Sequence, residues 1–338
     1  MAKVKVGVAG YGVIGQRLAD GVARQGDMEL VGVADIAPTL SVRALKERGM
    51  PYKMFNVDPS NKAMEEAGIP VSGNFEELVQ EVDIILDSAP GGVGAKNKEI
   101  YLKYNKKAVF QGGEKNSVAD VFFHGYANYE KGLGQSYLKL TSCNTTGLIR
   151  AVDMLDREVG VEKVAITIIR RVADPGDYHR GLTNALQVEK APSHQAVDLM
   201  TIMPHIPCTG ILVHTPVTHG HIITVIVTPK KSISKEQLWE MANEHPRIKP
   251  VRLADGFLGN ASLFRWARDM GYPRGDMYEI ALWEESIVKS GEDIMFAINI
   301  PQESVVIPEN IDAIRAAMKM QLTREEGTAE TNKYLGLK

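Results

Sequence analysis

Gly10-Tyr11-Gly12-Val13-Ile14-Gly15 restricts what this chain can fold into more than any other stretch. It follows a β-branched run, Val4–Ala9, and opens a segment, Gln16–Arg24, in which Leu18, Ala19 and Val22 recur at helical spacing. A second β-branched run, Glu29–Ala34, ends at Asp35. Strand, glycine turn, helix and strand within ~30 residues make a βαβ unit with a right-handed crossover. A helix that starts on a glycine turn leaves its first backbone N–H groups open to an anion, and the glycines let a pyrophosphate approach the backbone. The pattern alone is weak, but in this context it predicts dinucleotide binding by Gly10, Gly12 and Gly15. Asp35, at the end of the second strand, is placed to accept from ribose hydroxyls and to repel a 2′-phosphate, which predicts NAD over NADP. The competing reading is a solvated turn residue before Pro38.

Further strands at Val82–Asp87 and Ala108–Phe110 lead into Pro90-Gly91-Gly92 and Gln111-Gly112-Gly113. Glycine loops after successive strands line the ligand crevice of a doubly wound sheet. Past Cys143 the pattern changes. Strands are expected at Val164–Ile169, Ile211–Val213, Ile222–Val227 and Ile294–Ile300, with helices at Ser234–Asn243, Asn260–Met270 and Pro308–Met320. With 338 residues two domains are the natural expectation. The fold class is therefore α/β, a Rossmann-type doubly wound parallel sheet plus an α+β catalytic domain with a mainly antiparallel sheet. The expected divisions are 1–142, 143–303, and 304–338 as a C-terminal helix packing back on the first domain.

A formal net charge of −3 gives no argument for nucleic acid or an anionic membrane as partner. Two cysteines make no disulfide framework and fit a reducing cytoplasm. Met1–Val6 lacks a secretory apolar region, and no apolar run approaches the ~18 residues of a membrane span.

Cys143 lies in Ser142-Cys143-Asn144-Thr145-Thr146-Gly147, just before the helix-periodic run Leu148–Leu155. At a helix N-terminus, unpaired N–H groups and the positive dipole end favour a thiolate over a thiol that otherwise titrates near ~8.5. A buried structural cysteine among capping residues is the alternative. A thiolate beside a nicotinamide would point to aldehyde oxidation through a thiohemiacetal and a thioester, with a histidine to take the hydroxyl proton.

In order along the chain come Phe110-Gln111-Gly112-Gly113-Glu114-Lys115, the Ser142–Gly147 segment, Arg170-Arg171 with Ala173-Asp174-Pro175, Pro192-Ser193-His194, Gln302-Glu303-Ser304, and Ile307–Arg315. Together they resemble the archaeal type (type II) of glyceraldehyde-3-phosphate dehydrogenase over nearly the whole chain. The resemblance implies a phosphorylating, cytoplasmic, homotetrameric oxidoreductase of glycolysis or gluconeogenesis that uses a small-molecule substrate and inorganic phosphate. It also implies Cys143 as nucleophile and Ser142, Asn144, His194 and Gln195 as substrate contacts. Val13, Ile14, Gly113, Arg171 and Gln302 match cofactor contacts, and no metal is implied.

The family's catalytic histidine matches the segment Val217-Thr218-His219-Gly220-His221. Residues at i and i+2 of a strand face one side, so both rings are candidates, and His219 is the one expected to act as base. A two-histidine metal site competes but lacks a third ligand at metal spacing. Arg171 is the expected phosphate-binding arginine of its pair, with Lys115 and Arg180 behind it. His124, His179, His205, His214, His245 and Cys208 receive no role. The chain departs from the family at Ala34-Asp35, at Gln195 and at Pro301. Alternatives remain an aspartate-semialdehyde dehydrogenase-like reductase and a non-catalytic nicotinamide-binding protein.

Overall fold

The structure, a computed structural model, describes residues 2–111, 113–171 and 185–338. The chain forms two compact units, Met1–Thr141 with Ile307–Gly336, and Ser142–Val306 with Leu337–Lys338.

The first unit is built on β1 (Val4–Ala9), β2 (Met28–Asp35), β3 (Lys53–Asn56), β4 (Gly73–Asn74), β5 (Ile84–Asp87), β6 (Lys107–Phe110), β7 (Val121–Phe123) and β8 (Tyr137–Leu140). Their order in the sheet is β4-β3-β2-β1-β5-β6-β8-β7, and every pair is parallel. Strands covered on both faces need near-continuous apolar sequence, and Val6, Val8, Val33, Ile84, Ile85 and Leu86 are all fully buried. The strand order reverses between β1 and β5, which opens a crevice beyond their C-terminal ends. Ser88, just past β5, spans the two ends by donating its hydroxyl to Gly10 O at 2.7 Å.

The helix Ile307–Ala317 belongs to this unit and is buried along its whole length. Gly21 makes room for it, since a Cβ there would lie 2.8 Å from Ile307 Cγ2. Its buried Arg315 donates to Gln25 Oε1 at 2.7 Å and to Thr331 Oγ1 at 3.0 Å, and pairs with Asp27. A buried guanidinium left without such partners would be strongly destabilising. The following helix, Arg324–Leu335, has no apolar stripe that sequence reading could use.

The second unit carries β9 (Val161–Arg171), β10 (Gln187–Val188), β11 (Cys208–Thr215), β12 (His221–Pro229), β13 (Ile248–Val251), β14 (Ile280–Trp283), β15 (Val288–Ser290) and β16 (Asp293–Ile300). The sheet runs β10-β11-β9-β12-β16-β14-β13, with β15 on β16. It is mixed. The β11/β9 and β13/β14 pairs are parallel and the rest antiparallel. One face is covered by the helix Cys143–Val159, which approaches so closely that a Cβ on Gly147 would lie 2.3 Å from Ile300 Cδ1. The other face leaves Ile169, Ile211, Ile226 and Met295 between 37% and 48% exposed, as the period of two along each strand requires.

Candidate active site

In the first unit, the turn after β1 has the build of an anion cradle. Gly10 is at φ +82 and a Cβ on Gly15 would lie 1.9 Å from Gly10 O, so neither position tolerates a side chain. Gly12 is the N-cap of the helix Val13–Ala23 and no side chain caps it, which leaves that end's N–H groups for a ligand. Asp35 Oδ2 accepts the Tyr11 N–H at 2.8 Å and Oδ1 accepts the Ile36 N–H at 2.7 Å. These bonds hold the carboxylate against the glycine turn. Gly113 abuts Gly91 with no room for side chains, a Cβ on Gly91 falling 2.6 Å from Gly113 O. Lys115 is exposed.

In the second unit, Cys143 is the first residue of its helix, and the Ser142 side chain caps the Thr145 N–H. The imidazole at Cys143 is that of His221, whose Nε2 lies 3.8 Å from Sγ. His219, the expected base, is not the ring that meets the sulfur. The i, i+2 argument fails because β12 begins only at His221 and Gly220, at φ +64, turns the chain just before it. His219 instead is exposed, stacks on Phe264 with centroids 4.7 Å apart, and meets Thr218 Oγ1 at 2.9 Å.

His221 is 1% exposed. Burial pushes its pKa down to about 3, with help from the nearby Arg171 and Arg170 charges and against a hydrogen bond to Gln302 that favours the protonated ring. Its Nδ1 accepts the Arg171 backbone N–H at 3.1 Å. A neutral ring that accepts at Nδ1 carries its proton on Nε2, so the ring presents a donor to Cys143 Sγ.

The two arginines part as strand neighbours must, in the sense opposite to the expectation for phosphate binding. Arg171 is 4% exposed overall, and its guanidinium meets Thr218 O at 2.7 Å and Glu303 Oε1 at 3.2 Å. Arg170 is the accessible one, its side chain 36% exposed and 4.0 Å from Glu189 Oε1. Sequence reading missed Glu189 and His214, which meet at 2.7 Å. Nothing in a single sequence signals a pair brought together by strand pairing.

The helix His194–Ile202, capped by Ser193, is tied to the Cys143 helix through Thr145 Oγ1 and Asp198 Oδ2 at 3.2 Å. Gln195 is 1% exposed and its Nε2 lies 2.8 Å from the ring of exposed His194. Asn144 is also 1% exposed, and its Oδ1 and Gln195 Oε1 have no hydrogen-bond partner among the described residues. Buried amide oxygens of that kind cost ~1–3 kcal/mol each until a donor reaches them. Burial pushes the Cys208 thiol up to about 12, as suits a bystander. Gly112, Ala173-Asp174-Pro175, His179 and Arg180 lie outside the described residues.

Residues 142–261 match the family model for the glyceraldehyde 3-phosphate dehydrogenase C-terminal domain. The whole chain is 39% identical to glyceraldehyde-3-phosphate dehydrogenase of Methanosarcina mazei, with 100% of both chains covered. It is 38% identical to glyceraldehyde-3-phosphate dehydrogenase 2 of Methanosarcina barkeri, with 100% of this chain and 99% of that one covered. For the Sulfolobus acidocaldarius protein of the same name the identity is 39%, with 99% and 98% covered. Aspartate semialdehyde dehydrogenase II from Vibrio cholerae superposes with a TM-score of 0.66 over 94% of this chain and 98% of that one, at 16% identity, a likeness of fold alone. Full-length identity at this level, with a cysteine and a histidine meeting at a helix start, places the chain in the archaeal branch of the glyceraldehyde-3-phosphate dehydrogenase family.

Proposed function

We propose that the protein oxidises D-glyceraldehyde 3-phosphate to 1,3-bisphosphoglycerate with a nicotinamide dinucleotide and inorganic phosphate, as a cytoplasmic enzyme of glycolysis or gluconeogenesis. One observation carries the reading: Cys143 Sγ at a helix N-terminus, 3.8 Å from His221 Nε2.

The helix N-terminus and the Nε2–H of His221 both favour the thiolate. The sulfur adds to the aldehyde carbon, and the resulting alkoxide takes over the hydrogen bond from Nε2–H. Because the proton left when the thiolate formed, His221 serves as a donor in this step instead of the base first expected of His219. A nicotinamide held by the glycine turn would supply the hydride acceptor needed to oxidise this adduct to a thioester. Arg170, not Arg171, offers the open guanidinium for a phosphate. Ser142, Asn144, His194 and Gln195 remain substrate contacts under this reading, with the buried Asn144 and Gln195 amide oxygens as acceptors for substrate hydroxyls.

The glycine cradle and the uncapped helix start fit a dinucleotide pyrophosphate. Gly10, Gly12, Val13, Ile14, Gly15 and Gly113 would hold it, with Asp35 on the ribose and Arg171 and Gln302 as further contacts. A fixed carboxylate at the end of β2 favours NAD. Steady-state kinetics are expected to give a kcat/KM for NAD at least ~10-fold above that for NADP, and Asp35→Asn to narrow the gap. A preference for NADP in the unaltered protein would overturn the Asp35 assignment. The apolar outer sheet face, with Ile169, Ile211, Ile226 and Met295 exposed, supports self-association into the homotetramer expected of the family.

The direct test is an assay with glyceraldehyde 3-phosphate and NAD, with and without inorganic phosphate. Sustained turnover is expected only when phosphate or arsenate is present. Equal sustained turnover without either rules out the phosphorylating mechanism.

A further inference from the structure

His214 has a buried ring nitrogen, Nδ1, with no hydrogen-bond partner among the described residues. Its other nitrogen, Nε2, lies 2.7 Å from Glu189 Oε1. An imidazole that faces a carboxylate donates its proton there, so Nδ1 keeps the lone pair. His221 is wired the other way, accepting at Nδ1 and holding its proton on Nε2. Of these two rings, His214 is the one whose Nδ1 lone pair is not engaged by a backbone N–H among the described residues.

The sheet puts the rings in one row. In the parallel β9/β11 pair, His214 is opposite Arg170. In the antiparallel β9/β12 pair, Ile169 is opposite Ile222; just past that register His221 Nδ1 accepts the Arg171 backbone N–H at 3.1 Å, and the Arg170 charge acts on the His221 ring. Residues paired across neighbouring strands share a face and are spaced by ~4.8 Å. The row His214, Arg170, His221 therefore spans ~10 Å, on the face that carries the buried Ile168, Leu212 and Ile223. Cys143 meets this row at His221. The rings also sense each other, because the His214 charge is among the influences that lower the His221 pKa. Glu189 reaches Arg170 as well, at 4.0 Å, and so orients both the middle and the far end of the row.

We propose that His214, positioned by Glu189, is the proton acceptor that activates inorganic phosphate against the Cys143 thioester, with Arg170 holding the phosphate between the two rings. This rests on the phosphorylating reading above. One oxygen of a protonated phosphate attacks the thioester carbon and a C–O bond forms. The C–S bond breaks and its electron pair returns to Sγ. The phosphate proton passes to His214 Nδ1, where the imidazolium is balanced by Glu189. No atom changes oxidation state, and no further reactant is required.

The test uses the full-length protein with glyceraldehyde 3-phosphate and NAD, mixed first without phosphate. One equivalent of reduced nicotinamide per site and a thioester mass adduct on Cys143 are expected, and phosphate is then added to the trapped adduct. His214→Gln is expected to keep the burst and the adduct but to slow phosphate-dependent release ~10²-fold. Glu189→Gln is expected to slow release ~10-fold, again with the burst intact, through loss of ring orientation. Release at the normal rate in His214→Gln would overturn the proposal. So would a burst that falls in step with release in both variants, since that pattern marks a merely structural role. A protein that forms no adduct even when unaltered sinks the underlying reading itself, and this step with it.

Discussion

Replacing Cys143 by serine is expected to lower kcat/KM by ~10⁴-fold or more and to abolish the thioester adduct. A hydroxyl is a far weaker nucleophile than a thiolate at neutral pH, and the helix N-terminus that stabilises a thiolate cannot bring a serine near ionisation. The substitution keeps the side-chain size at the first residue of the helix, so the loss is chemical. Thermal unfolding is expected to shift by no more than ~2 °C, and NAD binding measured by fluorescence to persist. A Cys143→Ser protein that retains a tenth of normal turnover would remove the nucleophile from its assigned place.

The second large effect separates two histidines two residues apart. His221→Ala is expected to cost ~10²–10⁴-fold in kcat/KM, the usual range for a positioned donor or proton carrier, whereas His219→Ala stays within ~3-fold. The reverse ranking would return the role to His219. The pH profile adds an independent check. With its pKa pushed down to about 3, His221 stays neutral across the working range, so no acid limb near ~6.5, the ordinary imidazole value, should belong to it. The linkage to stability follows from the same shift. The native ring resists a proton that the unfolded chain accepts, so the associated stability is intact above ~6.5 and declines as pH falls from there toward 3. His221→Gln should flatten that part of the acid unfolding curve.

How far the site could be read in the sequence depends on how local each question was. The glycine turn, the βαβ unit and the helix after Cys143 are short-range matters, set by φ tolerance, capping and periodicity over a few residues. They appear in the structure close to where those signals put them, β1 at Val4–Ala9 and a helix that starts at Cys143. Short strands such as β10 and β13 were not visible, because two to four residues carry no period. Strand alternation made His219 and His221 equal candidates, but Gly220 between them has a positive φ that ends the alternation. Strand geometry makes Arg170 and Arg171 point apart, but which one is buried depends on Thr218 and Glu303, residues 47 and 132 positions away.

The amino-acid order alone determined the two-part α/β plan, a dinucleotide-type turn and a cysteine at a helix start, since backbone sterics and amphipathic periodicity act between near neighbours. Only the tertiary structure decided which histidine faces Cys143, which arginine stays open and that Glu189 holds His214. Those outcomes follow from the register of β9, β10, β11 and β12, and register is the product of packing a whole sheet face against the Cys143 helix.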